Sequence, residues 1–205
     1  MASTQRLRIV LTEHPTEICS EIVRGQLYAA VALDHGGGVV PINANDLEVL
    51  QKTPSEALGL AFSLLTRTSA PGDVRPVDTL PGLNFVVAGD GLAASRLLLL
   101  PQLLDPMPLG GVIAAVPGPD QLLCVPLESA RGLDALQALA SALGHAVASR
   151  DDVLSDQLFW CDGHSWCPLA VQHGEEDITV VPPPRFVRMM NQLAAMDMVQ
   201  CAGEA

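Results

Sequence analysis

The chain has 205 residues, of which 49% are hydrophobic and 17% charged, enough apolar material for one folded domain of ordinary size. The net charge of −12, the scattered basic residues and the aromatic content of 3% argue against nucleic acid and anionic membranes as partners. The most apolar run, 97–104, is interrupted at Pro101 and is far shorter than the roughly 20 residues of a membrane-spanning helix.

The predicted elements alternate between hairpins and helices. In chain order we predict a strand at 6–12, a helix at 17–23, strands at 27–33 and 39–42, a short helix ending at Gln51, a helix at 54–66, a loop at 69–81, a strand at 84–88, a helix at 92–100, strands at 111–116 and 122–126, a helix at 130–148, strands at 157–161 and 166–171, an extended spacer at 180–184 and a helix at 185–199.

The clearest local signals are a helix start and two hairpin turns. Thr53, Pro54 and Glu56 combine an N-cap, a first-turn proline and a capping-box carboxylate. The turns are Pro-Gly-Pro-Asp at 117–120 and Asp-Gly at 162–163. This order of elements favours an α+β fold with a mixed, largely antiparallel sheet built from hairpins, over a parallel doubly wound fold.

The cysteine count bears on the compartment. There are five cysteines, an odd number, and the N-terminus has no apolar stretch of the kind found in a secretory signal. We therefore expect reduced thiols and a cytoplasmic protein.

The C-terminal segment is the first candidate for a binding element. Three prolines at 182–184 precede the last helix, which predicts a single α+β domain over 1–181 and a Pro-linked amphipathic helix over 182–205. Methionine side chains adapt to varied surfaces, so this face can bind in a groove, either in cis or on a second subunit. The candidate protein-binding residues are Phe186, Met189, Met190, Leu193 and Met196.

Four residues near the second hairpin have side chains that suit tetrahedral zinc: Cys161, His164, Cys167 and His173. Whether the two cysteines lie on one side of the hairpin depends on its register. The alternative is that they are buried, half-apolar side chains without a metal.

The turn Gly89-Asp90-Gly91 stands between a predicted strand and a predicted helix, where phosphate-binding loops occur. A third glycine of the dinucleotide fingerprint would fall on Ala94, and Asp90 would repel a phosphate. Ser95 could serve as a nucleophile, although no Gly-x-Ser-x-Gly elbow surrounds it. The simpler interpretation is that Asp90 caps the helix and pairs with Arg96.

From Asn45 to Trp166 the chain resembles the YtpQ-like proteins, an uncharacterised bacterial family. The resemblance rests on Asn-Asp-Leu-Glu at 45–48 with Pro-Ser-Glu-Ala-Leu at 54–58, on Asp-Gly-Leu-Ala-Ala-Ser-Arg-Leu-Leu at 90–98, and on Ala-Val-Pro at 115–117. It implies a mixed α+β bacterial cytoplasmic protein. The family-motif residues that it selects are Asp90, Gly91, Ser95 and Arg96.

We therefore predict a non-enzymatic protein-binding module of a bacterial cytoplasm, such as an adaptor, chaperone or regulatory subunit. The reasons are the acidity, the lack of a coherent catalytic set and the separable Met-rich helix. It would bind a protein partner or a second copy of itself, and we expect no cofactor. The alternatives are a small hydrolase or ligand-binding enzyme centred on the Gly89-Asp90-Gly91 turn, and a zinc-stabilised interaction protein.

Overall fold

A computed structural model describes residues 6–173 and 178–203, and this part of the chain forms eleven strands and five α-helices. The strands are β1 Leu7–Thr12, β2 Cys19–Val23, β3 Leu27–Asp34, β4 Val39–Pro41, β5 Val74–Pro76, β6 Asn84–Val86, β7 Val112–Gly118, β8 Gln121–Pro126, β9 Leu158–Cys161, β10 Trp166–His173 and β11 Ile178–Val181. The helices are α1 Ala44–Leu50, α2 Pro54–Arg67, α3 Leu100–Leu103, α4 Gly132–Ala148 and α5 Pro184–Gly203, with 3-10 helices at Pro71–Asp73 and Ala93–Leu99.

The strands form two antiparallel sheets, which confirms the predicted α+β class. In the first sheet β3 is central, with β1 along one edge and β2 and β4 along the other. The second sheet has the strand order β11-β10-β9-β7-β8-β6-β5. Its two edges are short strands that contain or precede proline, a common way to prevent pairing with other chains.

One continuous apolar core joins the two sheets. Leu7, Ile9 and Leu11 face it from β1, because alternate residues of a strand point to the same side. The same core takes Val112 and Phe159 from the second sheet, together with buried residues of α1, α2, α3 and the 3-10 helix Ala93–Leu99. The first sheet and its helices are therefore packed on one face of the second sheet.

The other face of the second sheet carries α4 and α5. Its core includes Ile113 and Trp160 from the strands, Leu139 from α4, and Phe186 and Leu193 from α5. The second sheet is thus buried on both faces, which explains why the burial of β7 and β9 does not alternate.

The caps at the starts of the first two helices follow the sequence. Asn43 accepts backbone hydrogen bonds at the start of α1, and Thr53 and Glu56 form a reciprocal capping box at the start of α2. The two bonds from Thr53 to Glu56 lower the pKa of that carboxyl below its usual value. The helix start predicted at Thr53 is confirmed.

Four of the predicted elements differ from the structure. Residues 17–23 form no helix but contain β2, because a Gly25 turn with φ +69° folds them back onto the buried strand β3. The predicted loop at 69–81 contains β5, and the first two residues of the spacer predicted at 180–184 belong to β11. The helix predicted at 92–100 is a 3-10 helix that continues through Pro101 as α3.

Candidate binding cleft

A cleft of about 370 Å³ opens beside the Gly89-Asp90-Gly91 turn, between α2 and the edge strand β1. Its lining combines apolar side chains with polar and charged groups. The apolar lining residues are Ile9, Ala61, Leu64, Leu65 and Leu92, and the others are Arg8, Thr68, Gly89, Asp90 and Arg96. A concave site with an apolar wall and few polar groups is the usual form of a ligand site.

Arg96 is the most unusual residue of the cleft, because its charged side chain is only 1% exposed. Its Nη1 donates to both carboxylate oxygens of Asp90, at 2.7 and 2.9 Å, and to the carbonyl of Leu92 at 3.0 Å. Its Nη2 makes only long contacts of 3.4 Å to the carbonyl and hydroxyl oxygens of Thr68. Among the described residues no acceptor lies within reach of its Nε.

The turn around Asp90 positions this arginine. Gly91 has φ +71°, a left-handed conformation that favours glycine, and the Asp90 carboxylate accepts the backbone N–H of Leu92. The predicted pairing of Asp90 with Arg96 is therefore present. The predicted helix cap is not formed, because the cap residue of the 3-10 helix is Leu92 and Asp90 accepts the N–H of that residue itself. Asp90 is 26% exposed and Arg96 only 1%, and both residues line the cleft.

Ser95 ties the 3-10 helix to the first sheet. Its buried hydroxyl donates to the carbonyl of Ile9 at 2.7 Å, on the edge of β1 that faces away from β3. One residue earlier, the N–H of Ala94 donates to the carbonyl of Pro119 in the β7–β8 turn. The motif around Ser95 thus connects the two sheets, which is a structural role.

The hydroxyls and carboxylate near the cleft do not form a catalytic set. Ser95 is committed to Ile9, and Thr68 donates to the carbonyl oxygens of α2. The lining residues that the structure describes include no histidine, no cysteine and no carboxylate other than Asp90. A nucleophile next to a base is the arrangement that acyl or glycosyl transfer would require, and these residues do not provide it.

The sequence did not identify Arg8 as a site residue. Its guanidinium donates to the Asp34 carboxylate at 3.1 Å and to the carbonyl of Leu7 at 3.0 Å. In the sequence, an arginine between the apolar residues 7 and 9 has the pattern of an ordinary solvent-facing strand residue. Its position on an edge strand is what places it near the cleft, and this position depends on the sheet topology, which the sequence does not show.

The face of α5 predicted to bind a protein packs largely against the rest of this chain. Phe186, Met190 and Leu193 are buried in the core below α4, and Met189 is half-buried beside them. Met196 is 48% exposed. The C-terminal helix is therefore not free to dock these three residues elsewhere while the fold is intact.

Contacts on both sides of that face hold α5 in place. The Phe186 ring stands edge-on to Trp160 at a centroid distance of 5.3 Å, and the Asp197 carboxylate accepts the N–H of Ala130 before α4. Arg185 bonds to the Asp162 carboxylate in the β9–β10 turn.

The β9–β10 hairpin separates the two cysteines proposed for zinc. Cys161 pairs with Trp166 and faces the core between the sheets, whereas Cys167 pairs with Trp160 and faces the α4–α5 core. The two thiols point to opposite faces and cannot bind one ion together. Among the described residues no group of three metal-binding side chains converges, and the side chain of His173 lies outside them.

His164 and Cys161 border a separate depression of about 560 Å³ between the hairpin and β2. Burial raises the pKa of the Cys161 thiol, so it stays protonated at neutral pH. This cysteine is therefore a poor nucleophile despite its histidine neighbour, and it packs as an apolar side chain.

No helix in the described part of the chain combines the length and the apolar character needed to cross a bilayer. Comparison with known proteins found no matching family model, no similar curated protein and no similar solved structure. The resemblance to YtpQ-like proteins stays an expectation from the sequence.

Proposed function

We propose that this chain is a non-enzymatic protein-binding module of a bacterial cytoplasm, and that the cleft between α2 and β1 receives a segment of its partner. The observation that carries the proposal is the fully buried guanidinium of Arg96, paired with the partly exposed Asp90 in a cleft that five apolar residues also line. A buried ion pair adds little net stability compared with apolar side chains of similar volume. Recognition of a ligand is therefore a better reason to retain it than stability.

The lining of the cleft supports binding over catalysis. Asp90, the only carboxylate among the lining residues that the structure describes, is already bonded to Arg96, and the nearby hydroxyls donate to backbone carbonyls. Groups held in this way can orient a bound segment, but none is available to take a proton from it. A hydrolase centred on the same turn would need a base from elsewhere in the chain, and Arg8 cannot serve as one.

The experiment is photo-crosslinking from inside the cleft. Leu64 is replaced by the photoreactive p-benzoylphenylalanine in cells that make the protein, and the matched control places the same residue at Leu60. Both leucines lie in α2, but only Leu64 lines the cleft. We expect one discrete protein crosslinked from position 64 and not from position 60.

The captured protein must then bind the purified chain. We expect a Leu64→Trp variant, in which the larger side chain fills the cleft, to bind it at least tenfold more weakly than wild type. Equal crosslinking from positions 60 and 64, or unchanged affinity of Leu64→Trp, would refute the cleft as the binding site.

A further inference from the structure

We infer that the cleft recognises a carboxylate attached to an aliphatic group, and that the partner supplies it as a C-terminal carboxylate on an apolar last residue. This inference rests on the proposed function for the source of the ligand. The carboxylate chemistry itself depends only on the cleft.

The first step concerns the free edge of the guanidinium. In arginine, the Nε–H and one Nη2–H lie side by side and point the same way, which is the geometry that a carboxylate accepts with two parallel bonds. In Arg96 the Nη1 group is used by Asp90 and Leu92. Its Nε has no acceptor among the described residues, and its Nη2 has only the two 3.4 Å contacts to Thr68.

The second step concerns what a ligand must displace. Thr68 covers the weakly bonded edge of Arg96, but its hydroxyl also donates to the carbonyl of Leu64 at 3.0 Å. Rotation of this side chain removes one 3.4 Å contact to Nη2 of Arg96, together with the hydroxyl's own bonds to the carbonyls of Leu64 and Leu65. A charge-assisted pair of bonds to a carboxylate replaces them with shorter and stronger ones.

The third step concerns charge. The charged lining residues are Arg8, Arg96 and Asp90, and Arg8 is also paired with Asp34 just outside the cleft, so the four charges sum to zero. The net charge of the whole chain is −12, which disfavours ligands that carry more than one negative charge. A carboxylate adds one negative charge, whereas a phosphate monoester adds about 1.5 to 2 at neutral pH.

The fourth step concerns the group attached to the carboxylate. Five aliphatic side chains line the cleft beside these groups, so the substituent is aliphatic. At about 30 Å³ per non-hydrogen atom, taking the volume of a water molecule as a guide, 370 Å³ holds roughly a dozen atoms. An acylated leucine is of this size, which corresponds to the last residue of a peptide.

The test is calorimetric titration of the full chain with N-acetyl-leucine and with N-acetyl-leucinamide, which differ only at the carboxylate. We expect the acid to bind at least tenfold more tightly than the amide, and inorganic phosphate to bind no better than the amide. Equal affinities for acid and amide, or no binding of the acid, would overturn the carboxylate assignment.

Variants localise the binding. We expect Leu64→Trp and Arg96→Lys each to weaken the binding of N-acetyl-leucine at least tenfold. The tryptophan fills the cleft, and the lysine keeps the positive charge but lacks the planar guanidinium edge. Thr68→Ala removes the competing hydroxyl contact to Nη2, and this variant should bind the acid at least as tightly as wild type. Arg8→Gln should weaken binding, whereas Arg24→Gln, the same change on the exposed β2–β3 turn, should leave it unchanged. If Arg96→Lys does not fold, Leu64→Trp and Arg8→Gln decide the outcome.

A last comparison distinguishes the source of the carboxylate. A short peptide ending in leucine should bind at least as tightly as the free acid 4-methylpentanoate. If the free acid binds more tightly, the carboxylate chemistry stands and the partner protein of the proposed function is wrong. If neither binds while crosslinking from position 64 persists, the proposed function stands and the carboxylate inference is wrong.

Discussion

Ser95 lies where two parts of the chain that are distant in sequence meet, and its hydroxyl is the polar link between them. Replacing it with alanine leaves the buried carbonyl of Ile9 without its donor, so we expect Ser95→Ala to lower the free energy of unfolding by about 1–3 kcal/mol. The matched control is Ser63→Ala in α2. Ser63 also donates to a backbone carbonyl, but it is exposed and water replaces the lost bond.

Urea unfolding of both variants checks this prediction. The control should stay within about 0.5 kcal/mol of wild type. Equal losses for the two variants would mean that the contact between Ser95 and Ile9 adds nothing beyond an exposed hydroxyl bond.

Cys124 in β8 gives a prediction about alkaline pH. Burial raises the pKa of its thiol to about 12 from an ordinary value of 9.0. The folded state then binds more protons than the unfolded state between those values, so the free energy of unfolding falls as pH rises above 9. One such group contributes a slope of up to about 1.4 kcal/mol per pH unit.

Urea unfolding of Cys124→Ala from pH 7 to 10.5 tests this slope. The variant should be less stable than wild type at pH 7, and the difference should shrink above pH 9 because alanine has no thiol to ionise. Val116→Ala removes a buried neighbour in the same core, and its curve should run parallel to wild type. A Cys124→Ala curve that is also parallel would contradict the raised pKa.

At the scale of elements, α5 belongs to the core rather than to a separate arm. Phe186→Ala removes the ring that contacts Trp160 and leaves a cavity, so we expect a loss of about 3–5 kcal/mol in the free energy of unfolding. Met196 lies on the same helix but is 48% exposed, and Met196→Ala should change the free energy of unfolding by less than about 0.5 kcal/mol. Losses of similar size in the two variants, measured by urea unfolding, would mean that α5 does not pack as described.

The elements that could be predicted are those whose signals are local. The capping box at Thr53 and the turns of both hairpins depend on neighbouring residues, and all are present. The segment 17–23 was predicted wrongly because its apolar spacing suits both a helix and a strand, and only pairing with β3 decides between them. The prolines before α5 suggest a linker, but they do not indicate that Phe186 packs in the core of the domain.

The residues of the candidate site were predictable from the sequence only in part. Asp90, Gly91, Ser95 and Arg96 were selected from the sequence, and the structure brings three of them together around one turn, with Ser95 buried behind it. The cleft itself was not predictable, because Arg8 and α2 reach it through the topology of the first sheet. The zinc hypothesis required Cys161 and Cys167 to lie on the same side of the hairpin, which depends on how the two strands pair. The sequence alone does not fix this pairing to within one residue, and a shift of one residue moves a side chain to the other face.

For the whole molecule, the shared core implies that the two sheets unfold together. The apolar cluster runs without a break from β1 and β3 of the first sheet to β7 and β9 of the second. Neither sheet can expose its inner face alone without exposing that of the other, so we expect one cooperative transition.

The chain carries natural probes for this test, because its single tyrosine, Tyr28, lies in β3 and both tryptophans lie in the second sheet. Urea unfolding followed by ¹⁹F NMR of fluorotyrosine at position 28 and by tryptophan fluorescence should give the same midpoint. Leu97→Ala, which removes a fully buried side chain of the 3-10 helix between the sheets, should lower both midpoints equally. Two separate midpoints in the wild-type chain would mean that the sheets are independent units and that the cleft, which takes residues from the first sheet and from the 3-10 helix, can open without global unfolding.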